Sequence, residues 1–166
     1  MVGTSPKQPS APAGKDDRRA WLFQLASTFR DAIERADRST LGISFRHFPK
    51  GACGDTTPLL GHFMKACGAH ETVYTLGERG QIGRDWTSHA WLRVDSYIVD
   101  ITADQFDDVS ERVIVARSSP WHETFEVKVE HEADFTLYDV ATGSDLATKY
   151  AVIMKGVGHG PFASGR

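Results

Sequence analysis

Several things are scarce in this chain, and each scarcity excludes something. No apolar run approaches the roughly 18 residues that suggest a membrane span. Only two cysteines occur, Cys53 and Cys67. There is no Cys-x-x-Cys and no His-x-x-x-His pair, the spacings that usually announce a zinc site. Nor is there a surplus of positive charge. With 19 Lys and Arg against 22 Asp and Glu, the net charge is −3, which argues against a dedicated nucleic-acid surface while leaving room for a local basic patch. The expectation is a chain without metal or cofactor and with neither nucleic acid nor membrane as partner.

What remains is ordinary for a globular protein. At 166 residues, 40% of them hydrophobic, the chain suits one domain with a single core. The opening segment "MVGTSPKQPSAPAGKDDRR" has no apolar stretch of the secretory kind. Its Pro, Ser, Gly and Ala content predicts a disordered leader over residues 1–15. A single domain is expected over 16–157 and a flexible tail over 158–166, with a cytoplasmic setting as the default.

Leu22, Leu25, Ala26, Phe29, Ala32, Ile33 and Ala36 recur at helical spacing and predict a covering helix over 16–37, with Asp16 and Asp17 suiting its positive end. Leu60, Phe63, Met64 and Cys67 predict a second helix that stops at Gly68, with Cys67 a small core residue. Pro58 is awkward inside such a helix. Asp55 as N-cap would place it in the first turn, leaving Cys53 two residues ahead of the cap. The thiol would still lie near the positive end of the helix dipole, which favours thiolate. Two cysteines at the ends of one helix would stand about 21 Å apart at 1.5 Å per residue, far beyond disulfide reach. Cys53 should therefore be a free thiol.

Strands are predicted at 72–76, 89–94, 97–102 and 112–116, with another around 125–129. A C-terminal helix is predicted from Ser144 or Asp145 to Gly156. Helices first and a meander afterwards predict an α+β fold, with a helix bearing the nucleophile packed on an antiparallel sheet.

The second and third strands allow a geometric test. If Asp95 and Ser96 form the turn, Val94 faces Tyr97, Leu92 faces Val99, Trp91 faces Asp100 and His89 faces Thr102. One face then holds Ala90, Leu92, Val94, Tyr97, Val99 and Ile101, a core face. The other holds His89, Trp91, Arg93, Ile98, Asp100 and Thr102, so His89 and Asp100 become diagonal neighbours. A loop of odd length would separate them. Histidine can take a thiol proton near neutral pH, and a carboxylate can hold the imidazole in one tautomer.

"GACGDTTPLLGHFMKACG" followed by "SHAWLRVDSYIVDIT" resembles the core of the transglutaminase-like branch of the papain-like cysteine enzymes, over about residues 48–105. The resemblance implies Cys53 as nucleophile, His89 as general base and then acid, and Asp100 as the residue orienting His89. It further implies acyl transfer from amides of a protein or peptide substrate: peptide or isopeptide hydrolysis, glutamine deamidation, or crosslinking to amines. The hairpin is shorter than in typical transglutaminases, and the position six residues before the cysteine, where papain-type enzymes carry a glutamine, holds His47. Two other readings compete: a zinc site on Cys53, His89 and Asp100, and a non-catalytic binding module of the same fold. Trp91 could wall the cleft or cover His89, and Trp86, Asp104 and Gln105 lie near strand ends where clefts form. His122 and His131 are expected at the surface, as are His62 and His70 beside the second helix.

Overall fold

The computed structural model describes residues 11, 12 and 14–158. Three helices, α1 (Lys15–Arg35), α2 (Cys53–Ala66) and α3 (Val140–Val157), accompany five strands. These are β1 (Thr72–Arg79), β2 (Thr87–Val94), β3 (Tyr97–Asp100), β4 (Ile114–Ala116) and β5 (Glu126–Glu132). The strands form one sheet in the order β4-β3-β2-β1-β5, with every neighbouring pair antiparallel. The architecture is α+β, as the element order predicts.

Helix α2 packs on β1 and β2, while α1 packs on β3, β4 and α3. The apolar stripe of α1 is buried from Leu22 to Ile33. The same stripe carries Arg30, which hydropathy does not flag. Arg30 is buried because its guanidinium forks onto Asp104 at 2.6 and 2.7 Å and also donates to the carbonyls of Ile101 and Arg112. One cation thus fixes the chain on both sides of the 103–112 segment.

The hairpin register falls where the two-residue turn predicts, with Val94 opposite Tyr97, Arg93 opposite Ile98 and Leu92 opposite Val99. Asp95 takes a left-handed φ of 53°, which aspartate tolerates better than most residues. Its carboxylate is tied to Arg18 and accepts the Glu71 N–H at 3.2 Å. A turn that is weak by composition is therefore held from outside. The predicted core face is buried throughout: Ala90, Leu92, Val94, Tyr97, Val99 and Ile101 are each at most 4% exposed.

Several boundaries differ from expectation. Helix α2 begins at Cys53 with Ala52 as N-cap, not after Asp55. Pro58 lies inside the helix, where its missing N–H deprives the carbonyl of Gly54. That residue is exposed, so the lost bond can be made to water. Asp55 does not cap; its carboxylate accepts from Ser44 Oγ at 2.6 Å and Lys149 Nζ at 2.8 Å, tying α2 to α3. Helix α3 starts earlier than its apolar pattern, because the Asp139 carboxylate accepts the N–H groups of Ala141 and Thr142. Strand β3 ends at Asp100, β4 is shortened to three residues, and β5 runs on to Glu132.

Within the predicted leader, Lys15 belongs to α1 and Ala11 packs partly against the core. Residues 1–10 and 13 of that leader, and 159–166 of the predicted tail, lie outside the described residues. Among the described residues no helix is long and apolar enough to cross a membrane.

Candidate functional site

Cys53 is the first residue of α2. Its position at the helix start places the sulfur near N–H groups that have no intrahelical carbonyl to bond. The thiol is free and only partly buried, whereas Cys67, at the far end of the same helix, is free and buried. His89, the backbone N–H of Ala90 and the side chain of Gln105 are the donors that act on the sulfur and favour its anion. Burial pushes the thiol up, but those three donors and the charge of His89 outweigh it, and the net shift is downward. Cys67, with nothing but burial acting on it, is pushed up to about 11. The two thiols of the chain are thus set apart electrostatically.

His89 Nε2 meets Asp100 Oδ2 at 2.6 Å. Because Nε2 is committed to the carboxylate, Nδ1 is the nitrogen left for Cys53. Burial pulls the imidazole down, but the charge and hydrogen bond of Asp100 and the bond to Cys53 raise it to about 9. Asp100 is pushed up by burial, yet His89 and His122 hold it well below the ordinary carboxylate range. A cation and an anion sharing a dry site each favour the charged form of the other. The Asp100 Oδ1 atom is occupied as well, accepting from the N–H of Thr102 at 2.8 Å and its hydroxyl at 3.2 Å.

The structure therefore brings all three predicted site residues together. It also adds residues that the sequence pattern missed. His122, expected at the surface, is buried, and its Nε2 lies 3.0 Å from Asp100 Oδ2. It comes from the short 3-10 turn His122–Thr124, far along the chain from the hairpin, which is why local spacing did not reveal it. The only local hint was an apolar neighbourhood, Trp121 before it and Phe125 after it. Gln105 follows β3 in a 3-10 turn (Ala103–Gln105) that Arg30 pins through Asp104. Its Oε1 accepts the N–H of Gly51 at 3.2 Å and its Nε2 donates to the Thr102 carbonyl at 3.0 Å. Those two bonds fix which way the amide points, and they leave Nε2 3.3 Å from His89 Nδ1. His47 is exposed; the side-chain amide beside the sulfur is that of Gln105.

The second hairpin face is thus not an open cleft wall. Phe106, Trp121 and Phe125 surround the His89 ring with centroids 5.2, 5.5 and 6.0 Å away, and Trp91 stacks at 6.0 Å. Trp91 itself is buried, so it covers His89. Arg79 lies over Phe106, Trp121 and Phe125, nearest to Phe125 at 4.5 Å. Trp86 is exposed and lies beside Ile82 at the β1–β2 turn. His62 is half-buried, hydrogen-bonded to Asp134 at 3.0 Å, while His70 and His131 are exposed.

Among the described residues, His89, Asp100 and His122 form the one grouping whose donor atoms could surround a metal ion. Their separations argue for protons instead. Ligands on a tetrahedral zinc with bonds of roughly 2.0 Å stand about 3.3 Å apart. Asp100 Oδ2 lies 2.6 and 3.0 Å from the two imidazole nitrogens, which are hydrogen-bond lengths. Cys53 is not part of that grouping.

Comparison of the chain with protein-family models, with curated proteins and with solved structures finds no match.

Proposed function

We propose that the protein is a cysteine-dependent acyl-transfer enzyme with a transglutaminase-like, papain-like core. In this reading it is a hydrolase of peptide, isopeptide or glutamine side-chain amide bonds. One observation carries it: a partly exposed thiol at a helix start is stabilised as its anion by an imidazole whose Nε2 is held by a buried carboxylate. Each contact has a chemical use. His89 takes the Cys53 proton, and the thiolate attacks the amide carbonyl carbon. N–H groups at the start of α2 and the Gln105 amide supply donors for the oxyanion. The tetrahedral species collapses as the C–N bond breaks and the His89 proton passes to the leaving nitrogen. A thioester on Cys53 remains. Water, deprotonated by His89, then releases the acid; an amine in its place would give a new amide.

Incubation with peptide, isopeptide and glutamine substrates, read by mass spectrometry, tests this directly. The wild-type protein should release amine or ammonia and Cys53→Ala should release none. Equal turnover by the two proteins, or none on any substrate class, counts against the enzyme. Stoichiometric zinc lost in His122→Ala would instead favour a metal site on His89, Asp100 and His122.

A further inference from the structure

Asp100 carries a second imidazole that the proposed chemistry does not use. His122 Nε2 reaches the same Oδ2 that accepts from His89. On its other side, His122 Nδ1 lies 2.7 Å from Ser119 Oγ. Since Oδ2 belongs to an ionised carboxylate and can only accept, Nε2 of His122 must carry a proton. Nδ1 then accepts the Ser119 hydroxyl proton when the ring is neutral. The result is a chain of hydrogen bonds, Ser119–His122–Asp100–His89, whose last member acts on Cys53, and all of it but Ser119 is buried. His122 is also gripped edge-on by Trp91 and Trp121, at centroid distances of 5.1 and 4.9 Å.

Counting acceptors shows what His122 contributes. Asp100 receives four hydrogen bonds: two from Thr102 on Oδ1, and one from each imidazole on Oδ2. Without His122, one lone pair of a buried anion would be unpaired, a costly arrangement. The carboxylate could relieve it by turning, or by taking the proton of His89, and either change would weaken the imidazolium that stabilises the Cys53 thiolate. A buried histidine with both nitrogens bonded is more than wall material.

We propose that His122 is a positioning residue: resting on the acyl-transfer reading of the site, it holds Asp100 in place for His89 and thereby keeps Cys53 armed. The charged groups around it are few. His89 approaches from β2 and Asp100 from β3, and the groove beside it is bordered by Arg93, Arg117 and Glu123. Its own side-chain bonds go to Asp100 and Ser119.

The test is the pH profile of iodoacetamide labelling at Cys53, resolved from Cys67 by peptide mass spectrometry. It would be run on the full chain as wild type, His122→Phe and His122→Gln. Gln can place an amide donor where Nε2 stood, whereas Phe fills the space and donates nothing. The profile of His122→Phe should move to higher pH by about one unit, a loss of roughly tenfold in thiolate on its acid side. His122→Gln should restore most of it, a rescue that a merely space-filling role does not predict. If wild type labels early and both variants match it, His122 has no positioning role and the acyl-transfer reading stands. If wild-type Cys53 labels only as an ordinary thiol, both fail together. Should His122→Phe not fold, Ser119→Ala, which removes the partner of His122 Nδ1, takes its place: a profile moved to higher pH supports the positioning role, and an unshifted profile in the folded variant overturns it.

Discussion

At Cys53, burial raises the thiol while His89, the Ala90 N–H and Gln105 lower it, and the donors win. At Cys67 burial acts alone. Removing the donors one at a time should therefore move Cys53 toward Cys67. Gln105→Leu leaves His89 in place but withdraws one donor from the sulfur and one tether from Gly51. It should raise the Cys53 titration midpoint modestly and cut any turnover about 100- to 1000-fold, the range expected when an oxyanion donor is lost. Unchanged turnover in Gln105→Leu would remove that residue from the chemistry. Of the side chains taking part here, Cys53 and His89 were legible in the sequence, because a Cys ahead of an amphipathic helix and a His beginning a strand are local patterns. Gln105 was legible only as a loop residue near a strand end. Its role depends on Arg30, which reaches across from α1 to hold the neighbouring Asp104.

At the scale of elements, the hairpin register was readable because one face is purely apolar, so a slip by one residue would expose the whole face. The start of α2 was not readable. Proline suggested a later beginning, but its penalty falls on the carbonyl of an exposed glycine. The start of α3 was missed for the opposite reason, since the cap Asp139 precedes a stretch whose first turn has exposed residues. Asp139→Ala should therefore lower stability, as loss of an N-cap does, readable as a shift of the denaturant midpoint to lower concentration without a change of slope. The β1–β2 crossing beside the site carries a tighter constraint. A Cβ on Gly77 would lie 2.7 Å from Phe125 Cβ and 2.9 Å from Trp91 Cη2. Both of those side chains surround His89. Gly77→Ala should destabilise by about 1–3 kcal/mol through overpacking and slow Cys53 labelling as well. A Gly77→Ala protein as stable as wild type would mean that the aromatic wall is not tightly packed.

Across the whole molecule, the α+β class followed from the order of periodic segments, whereas the burial of the site did not. The segment from Phe106 to Phe125 folds over the second hairpin face and brings His122 to Asp100, a long-range contact invisible to local patterning. That burial gives the molecule a characteristic pH dependence. Asp100 is depressed in the fold, so its contribution is present above the ordinary carboxylate range and disappears as pH falls through its folded value. Asp134, pushed up by burial but held at about 2 by Thr136, His62 and Lys65, acts in the same direction. His89 is raised to about 9, so its contribution is full below its ordinary value and is lost as pH rises through about 9. The melting temperature should therefore fall in acid and fall again between about pH 7 and 9. In His89→Gln, which keeps a donor for Asp100 but cannot titrate, the alkaline fall should flatten. The central claim is that His89 and Asp100 turn Cys53 into a nucleophile, and site-resolved iodoacetamide labelling of wild type and His89→Gln near pH 6.5 measures this most directly. Cys53 in wild type should label at least about tenfold faster than Cys67 and faster than Cys53 in His89→Gln; equal, slow labelling of both thiols, or a rate at Cys53 indifferent to His89, would contradict it.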